Sequence, residues 1–245
     1  MIWLVLTLTL RQLLGQRRTL FLAAVAVLPL VAAIIYQASG GEGDAGEFTA
    51  QVVLYGLIVT ALLPLTAVLL STAAIGSEIE DGTIVYLLSK PVERWRILAG
   101  KLLAAWGATT VIVLASALVG SVVALVGEDD WSILGGFLIA LAAGSLAYSS
   151  LFVMLSLFTS RALLAGIAYA FIWEGVITNF APGVQRFSIR EYTASIAEAA
   201  GDISPWVFEA ELGLTYSVIL VVVVTAVAAG LAVVRLARFE LSGVE

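Results

Sequence analysis

The residue types that most enzymes use for chemistry are scarce in this sequence. Its 245 residues include no Cys and no His, which excludes disulfides, thiolate nucleophiles, serine-histidine catalysis and the commonest metal ligands. Gly100-Lys101 is followed by Leu102 and lacks the upstream glycine of a phosphate-binding loop. We therefore expect no catalytic residue, no metal site and no cofactor bound by this chain.

Glu174 is an ionisable residue well inside an apolar stretch, at 162–180. A carboxylate at the centre of a membrane-spanning helix is unfavourable by about 2.5–3.5 kcal/mol on insertion scales. Two interpretations stay open. Glu174 either lines or gates a translocation path, or makes a polar contact, for example to Arg186 or Arg190, that holds the end of its helix.

A dense charged cluster occupies residues 76–101, with eight charged residues among 26 and a single proline, Pro91. Ile79, Ile84 and Leu88 give the same segment an apolar side. The segment is too short for a domain. Its mixed pattern favours a short helix that lies along the membrane surface and offers a face to a partner protein.

The composition requires that these residues be positioned by elements lying in a membrane. Hydrophobic residues make up 61% of the chain and charged residues only 12%, and the mean hydropathy is +1.07. A soluble domain carries about 25% charged residues, so an ordinary soluble enzyme and a disordered chain are both excluded. The net charge of −6 argues against a nucleic-acid partner. We predict an all-α polytopic membrane protein that forms a single transmembrane domain over residues 1–245.

Charge-free stretches predict the individual helices, because a helix needs about 20 apolar residues to cross the hydrocarbon core. We predict six transmembrane helices, at 19–38, 51–75, 102–126, 132–158, 162–180 and 213–235. Residues 1–18 predict an amphipathic interfacial helix, with an upstream extension of the first span as the alternative. Pro29 and Pro64 predict kinks. We expect the segment 181–212 to form short helices at the outer interface or partly within it.

The basic residues predict the orientation. If both termini are cytoplasmic, ten of the twelve Lys and Arg residues lie on the inner side, and only Arg186 and Arg190 lie outside. An excess of Lys and Arg in cytoplasmic loops is the usual rule. We therefore predict a multi-pass protein of the plasma membrane with both termini in the cytoplasm and residues 76–101 facing the cytoplasm.

Small residues recur every four positions in the fourth predicted span, at Gly136, Ala140 and Gly144. Such a stripe lets another helix approach closely. Packing within the chain and an interface between subunits are both compatible with it.

The charged segment contains the run Glu78-Ile79-Glu80-Asp81-Gly82-Thr83, followed by Leu87-Leu88-Ser89-Lys90-Pro91-Val92-Glu93-Arg94 and by Gly100-Lys101. This run resembles the type-two ABC transporter permease family, in which an acidic residue, Gly-Thr, Leu-Leu-Ser-x-Pro-x-x-Arg and Gly-Lys recur in that order. The layout of six spans and an N-terminal interfacial helix resembles the family as well.

The resemblance implies a permease subunit of an ATP-driven transporter, usually an exporter. A separate cytoplasmic ABC ATPase subunit, which would hold ATP and magnesium, would dock on 76–101 and on the turn Thr159-Ser160-Arg161. A second permease subunit, identical or related, would complete the path across the lipid bilayer. The residues that the resemblance assigns to ATPase coupling are Glu78, Glu80, Asp81, Gly82, Thr83, Pro91, Arg94 and Arg161.

Two other classes stay open at this point. One is a membrane scaffold or assembly subunit that transports nothing. The other is a secondary transporter, although such proteins normally use several intramembrane charges or broken helices for their coupling ions.

Overall fold

The computed structural model describes residues 2–14, 17–41, 43–80, 82, 93–128, 130–178 and 183–238, and within these ranges the chain is helical with no strand. Ten segments of the described part of the chain are α-helical: α1 Ile2–Leu14, α2 Arg17–Ala26, α3 Leu28–Ala38, α4 Ala45–Glu47, α5 Leu63–Glu80, α6 Arg94–Ala124, α7 Trp131–Phe158, α8 Ala162–Ala168, α9 Ile189–Gly201 and α10 Leu214–Ala237. Two segments, Phe48–Leu62 and Tyr169–Ile177, have the wider turns of a π-helix, and Val184–Phe187 forms a 3₁₀ turn.

Among the described residues, five helical segments are long and apolar enough to cross a membrane. They are Phe21–Ala38, Ala45–Ile79, Arg94–Ala124, Trp131–Phe158 and Leu214–Ala237. The all-helical, multi-span architecture is therefore confirmed. The predicted span at 162–180 corresponds to a shorter apolar helix, Ala162–Ile177, which we call the fifth helix. At 1.5 Å per residue it reaches about 24 Å at most, less than the ~30 Å of a hydrocarbon core.

The two prolines affect their helices differently. The first span is interrupted at Val27, and Pro29 lies in the first turn of α3, where its missing N–H removes no helical hydrogen bond. The hydroxyl of Ser116 donates to the freed carbonyl of Ala26 at 2.7 Å. At Pro64 the helix continues, and the change from π-helical to α-helical bonding occurs directly before it.

Helix α1 packs against the rest of the bundle. Leu13 is buried in a cluster with Leu22, Leu70 and Ala108, while Trp3 and Leu8 are exposed on the other side. This two-sided character fits the predicted interfacial helix. The junction at residues 15–16 lies outside the described residues, so an interfacial helix stays a prediction.

Helix α9 enters the bundle instead of lying flat on it. Every residue from Ile189 to Ala197 is buried, mainly against α7 and also against α10. Gly201 lies beside the start of α7 at Ser132, whereas Thr193 lies beside Gly144 at the middle of α7. The N-terminus of α9 is therefore the deep end of the helix.

Antiparallel packing sorts the charges to the two ends of the bundle. Arg235 donates to the carbonyl of Leu157 (3.3 Å) at one end, and Gln37 donates to that of Ala124 (3.0 Å) at the other. We call the first the basic end; among described residues it holds Arg94, Arg96, Lys101, Arg161 and Arg235, together with Glu78 and Glu93. The opposite, acidic end holds Asp44, Glu47, Glu128, Asp130, Glu198, Asp202, Glu209 and Glu211.

Candidate functional site

A buried ion pair joins α5 to α6 at the basic end. Lys101 is 2% exposed, and its ammonium group donates to the carboxylate of Glu78 and to the carbonyl of Ala74, the latter at 2.7 Å. Glu78 therefore forms an ion pair within its own chain, and the role in ATPase coupling that the resemblance implies for it stays a prediction. Sequence reasoning assigned Lys101 no role. One pattern could have pointed to it: Lys101 directly precedes a long apolar stretch, and a charge at such a position needs a nearby partner.

The structure describes only some of the other residues predicted to couple to an ATPase. Gly82 has a φ of +67°, and its N–H donates to the carbonyl of Ile79 (3.2 Å), so this glycine allows the chain to turn where α5 ends. Arg94 begins α6 and is half-buried, and Arg161 is exposed in the turn before α8. The side chain of Glu80 and all of Asp81, Thr83 and Pro91 lie outside the described residues.

A cleft of about 180 Å³ opens at the basic end. It is lined by Gly76, Ser77 and Ile79 from the last part of α5, and by Thr159 and Ser160 from the α7–α8 turn. Gln12 of α1 donates to the hydroxyl of Ser77 at 3.1 Å. The cleft thus brings together the two segments that the sequence predicts as coupling contacts, 80 residues apart in the chain.

The second candidate site lies around Glu174, in the π-helical part of the fifth helix. Glu174 is 2% exposed, and its carboxylate accepts hydrogen bonds from the hydroxyls of Tyr148 and Tyr169, the latter at 3.1 Å. It also accepts the backbone N–H of Ile189, the first residue of α9, at 2.9 Å. Neither the tyrosines nor this amide was singled out from the sequence.

Arg190 and Glu191 form a second polar layer next to Glu174. The guanidinium of Arg190 pairs with the carboxylate of Glu191 at 3.2 Å, and both side chains are buried. Tyr55 donates to the same carboxylate at 3.1 Å, and Arg190 also donates to the hydroxyl of Thr178 at 3.4 Å. The sequence offered Arg190 as a direct partner of Glu174, but its ion pair is with Glu191.

The small-residue stripe of α7 faces α9. A methyl group added at Gly136 would lie 2.4 Å from the carbonyl oxygen of Ala197, and one added at Gly144 would lie 2.4 Å from the hydroxyl of Thr193. Ala140 lies between them and is fully buried. The closest contacts of this stripe are therefore within the chain.

The described residues contain no group of three or more Asp or Glu side chains that could hold a metal ion. The two clusters instead hold helices in place: an ion pair at the basic end, and a hydrogen-bonded carboxylate in the interior.

Comparison with known proteins gives one informative result. No curated protein matches the sequence. The model of the ABC-2 family transporter protein family matches residues 3–241, nearly the whole chain. The protein therefore belongs to the ABC-2 transporter family and is a multi-pass membrane permease.

Proposed function

We propose that this chain forms part of the translocation path of an ATP-driven exporter and that a separate cytoplasmic ATPase docks at its basic end. The observation that carries the proposal is the basic-end cleft, where Ser77 and Ile79 face Thr159 and Ser160. Movement of an ATPase bound at the cleft would act on three elements together: α5, α7 and the fifth helix, Ala162–Ile177. A partner is needed because the sequence contains no phosphate-binding loop.

The charge distribution supports a cytoplasmic position for this end. Arg94, Arg96, Arg161 and Arg235 surround it, and an excess of Arg and Lys is typical of cytoplasmic loops. Both termini would then be cytoplasmic, and the acidic end would face outwards. Few residues of the first and last spans are buried within the chain, so both spans leave an apolar surface uncovered. We propose that a second permease subunit, identical or related, covers part of this surface.

The experiment is co-purification with a candidate ABC ATPase subunit, followed by ATP hydrolysis in liposomes. Arg161→Glu should reduce recovery of the ATPase at least about tenfold, because this exposed residue adjoins the cleft and a charge reversal opposes a complementary surface. Arg186→Glu is the matched control. Arg186 is also exposed and basic, but lies in the turn Val184–Phe187, past the end of the fifth helix that is remote from the cleft.

Equal loss in both variants would indicate a general charge effect, and equal retention would show that the ATPase docks elsewhere. Either result contradicts the proposal. Stimulation of ATP hydrolysis by a candidate substrate separates a transporter from a scaffold that binds the same ATPase.

A further inference from the structure

The start of α9 lies where unpaired backbone groups are strongly unfavourable. The first four N–H groups of a helix have no partner within it, and a buried one such as that of Ile189 needs another acceptor. Two side chains do so here. Ser188 accepts the N–H of Glu191 at 3.3 Å, and Glu174 accepts the N–H of Ile189 at 2.9 Å.

The contact to Glu174 differs from that to Ser188 because it joins two separate elements. Ser188 directly precedes α9, but Glu174 belongs to the fifth helix. A carboxylate at a helix N-terminus also interacts favourably with the helix dipole. Tyr148 of α7 and Tyr169 donate to the same carboxylate, which fixes its direction towards Ile189.

The fifth helix connects this contact to the basic end. Its first residue, Ala162, follows Arg161 in the α7–α8 turn, and Ala162 lines the basic-end cleft. Gly166 packs so closely that an added methyl group would lie 2.2 Å from a methyl of Val68. The fifth helix therefore packs closely against α5 at Gly166, with the cleft at one end and Glu174 near the other.

We infer that Glu174 is a positioning residue that couples the fifth helix to α9, so that displacement of the α7–α8 turn is carried to α9 at the acidic end. We call the hydrogen bond between the Glu174 carboxylate and the N–H of Ile189 the joint. Tyr148 and Tyr169 hold the carboxylate in the orientation that this bond needs. The source of the displacement rests on the proposed function, since the ATPase would supply it. The joint itself belongs to the permease alone.

Hydrogen exchange of the permease alone, in lipid nanodiscs, tests the joint. Glu174→Ala should speed exchange of the amides from Tyr192 to Ala197 about tenfold, because the first turn of α9 then opens more often. These amides donate within the helix, as Tyr192 does to the carbonyl of Ser188 at 3.2 Å. Faster exchange would therefore report opening of α9 and not the loss of their own acceptors.

Glu198→Ala is the matched control for this measurement. Glu198 is also on α9 and accepts a backbone N–H, that of Ala210 at 2.9 Å, but it lies at the other end of the helix. It should speed exchange near Ala210 and leave Tyr192 to Ala197 unchanged. Glu174→Gln keeps one acceptor oxygen and should give an intermediate effect, which serves if the alanine variant does not fold. Unchanged exchange at Tyr192 to Ala197 in a folded Glu174 variant would overturn the inference.

Distances between spin labels in the ATPase complex test the transmission. The chain has no Cys, so labels at Leu164→Cys on the fifth helix, Ala199→Cys on α9 and Val126→Cys as reference attach only where introduced. All three positions are exposed. On ATP binding, both Leu164 and Ala199 should move relative to Val126; with Glu174→Ala, only Leu164 should move.

The outcomes separate this inference from the proposed function. Movement of Ala199 that is the same with and without Glu174, or movement of Leu164 alone in the unmodified chain, overturns the transmission and leaves the ATPase proposal standing. Failure of any ATPase to bind overturns the proposed function. Hydrogen exchange of the permease alone would still show whether the Glu174 contact stabilises the start of α9.

Discussion

Two carboxylates that face into the bundle are held in opposite ways. Glu78, at the basic end, meets the ammonium group of Lys101, and 21% of its side chain stays exposed. Glu174, in the interior, meets two tyrosine hydroxyls and one backbone amide. The first interaction joins two oppositely charged groups near the end of the bundle, and the second surrounds one carboxyl group with neutral donors.

The difference indicates different requirements at the two places. An ion pair near the end of a bundle can open to water when the helices shift, since each charge has access to solvent on separation. A carboxylate deep in the bundle has no such alternative, so its hydrogen bonds should persist through any movement. We therefore expect the basic-end pair to change during transport and the Glu174 contacts to stay intact.

The largest effect should come from removing one charge of the ion pair. Glu78→Gln leaves Lys101, which is 2% exposed, without its countercharge, and should lower the free energy of unfolding by about 3 kcal/mol. The measurement is unfolding of the purified protein in mixed micelles. Lys101→Met should be milder, because the remaining Glu78 is partly exposed.

Glu93→Gln is the control for that prediction. Glu93 pairs with Arg96 at 2.6 Å, but both side chains are about half exposed, and exposed pairs contribute about 0–1 kcal/mol. A loss at Glu93 as large as that at Glu78 would show that burial of Lys101 is not what makes the pair important.

An intermediate effect should follow from separating α7 and α9, which tests whether close packing supports the Glu174 contacts. Gly136→Ala would place a methyl group 2.4 Å from the carbonyl oxygen of Ala197, where only backbone could move, and should be unfavourable by about 1–3 kcal/mol. Thermal unfolding in nanodiscs measures it. The neighbouring Gly135 has open space, so Gly135→Ala should be neutral or stabilising.

The smallest effect should come from removing one neutral donor at Glu174. Tyr148→Phe deletes a buried hydroxyl and should lower the free energy of unfolding by about 1 kcal/mol, since Tyr169 and Ile189 still donate to the carboxylate. Tyr216→Phe, at an exposed position, should change it by less than about 0.5 kcal/mol. If Tyr148→Phe equalled Glu78→Gln in effect, the distinction between a charged and a neutral environment would fail.

The spans could be predicted from the sequence because lipid demands long charge-free stretches. The predicted 132–158 and 213–235 agree closely with α7 and α10. The predicted span 102–126 starts later than α6, which begins at Arg94. The charges of Arg94, Arg96 and Lys101 are typical of a polar segment before a span. In the first turns of α6, Trp95 and Arg96 are exposed, whereas Ile97 and Lys101 are buried.

The partners of the carboxylates could not be predicted because they come from distant parts of the chain. Tyr148 is 26 residues and Ile189 is 15 residues from Glu174, and Lys101 is 23 residues from Glu78. The sequence also could not show that α9 enters the bundle. Arg190 and Glu191 at its start are typical of a solvated loop until their pairing with each other is known.

The depth of α9 also sets an order of assembly during synthesis. Arg190 or Glu191 facing lipid alone would be unfavourable by about 2.5–3.5 kcal/mol each, so α9 cannot settle at its final depth before its neighbours are in place. The ribosome makes α7 and Glu174 earlier than α9, which means that the groove at Gly136 and Gly144 already exists when α9 emerges. We therefore expect α9 to dock late during biogenesis, mainly against the surface of α7 that the chain has already formed.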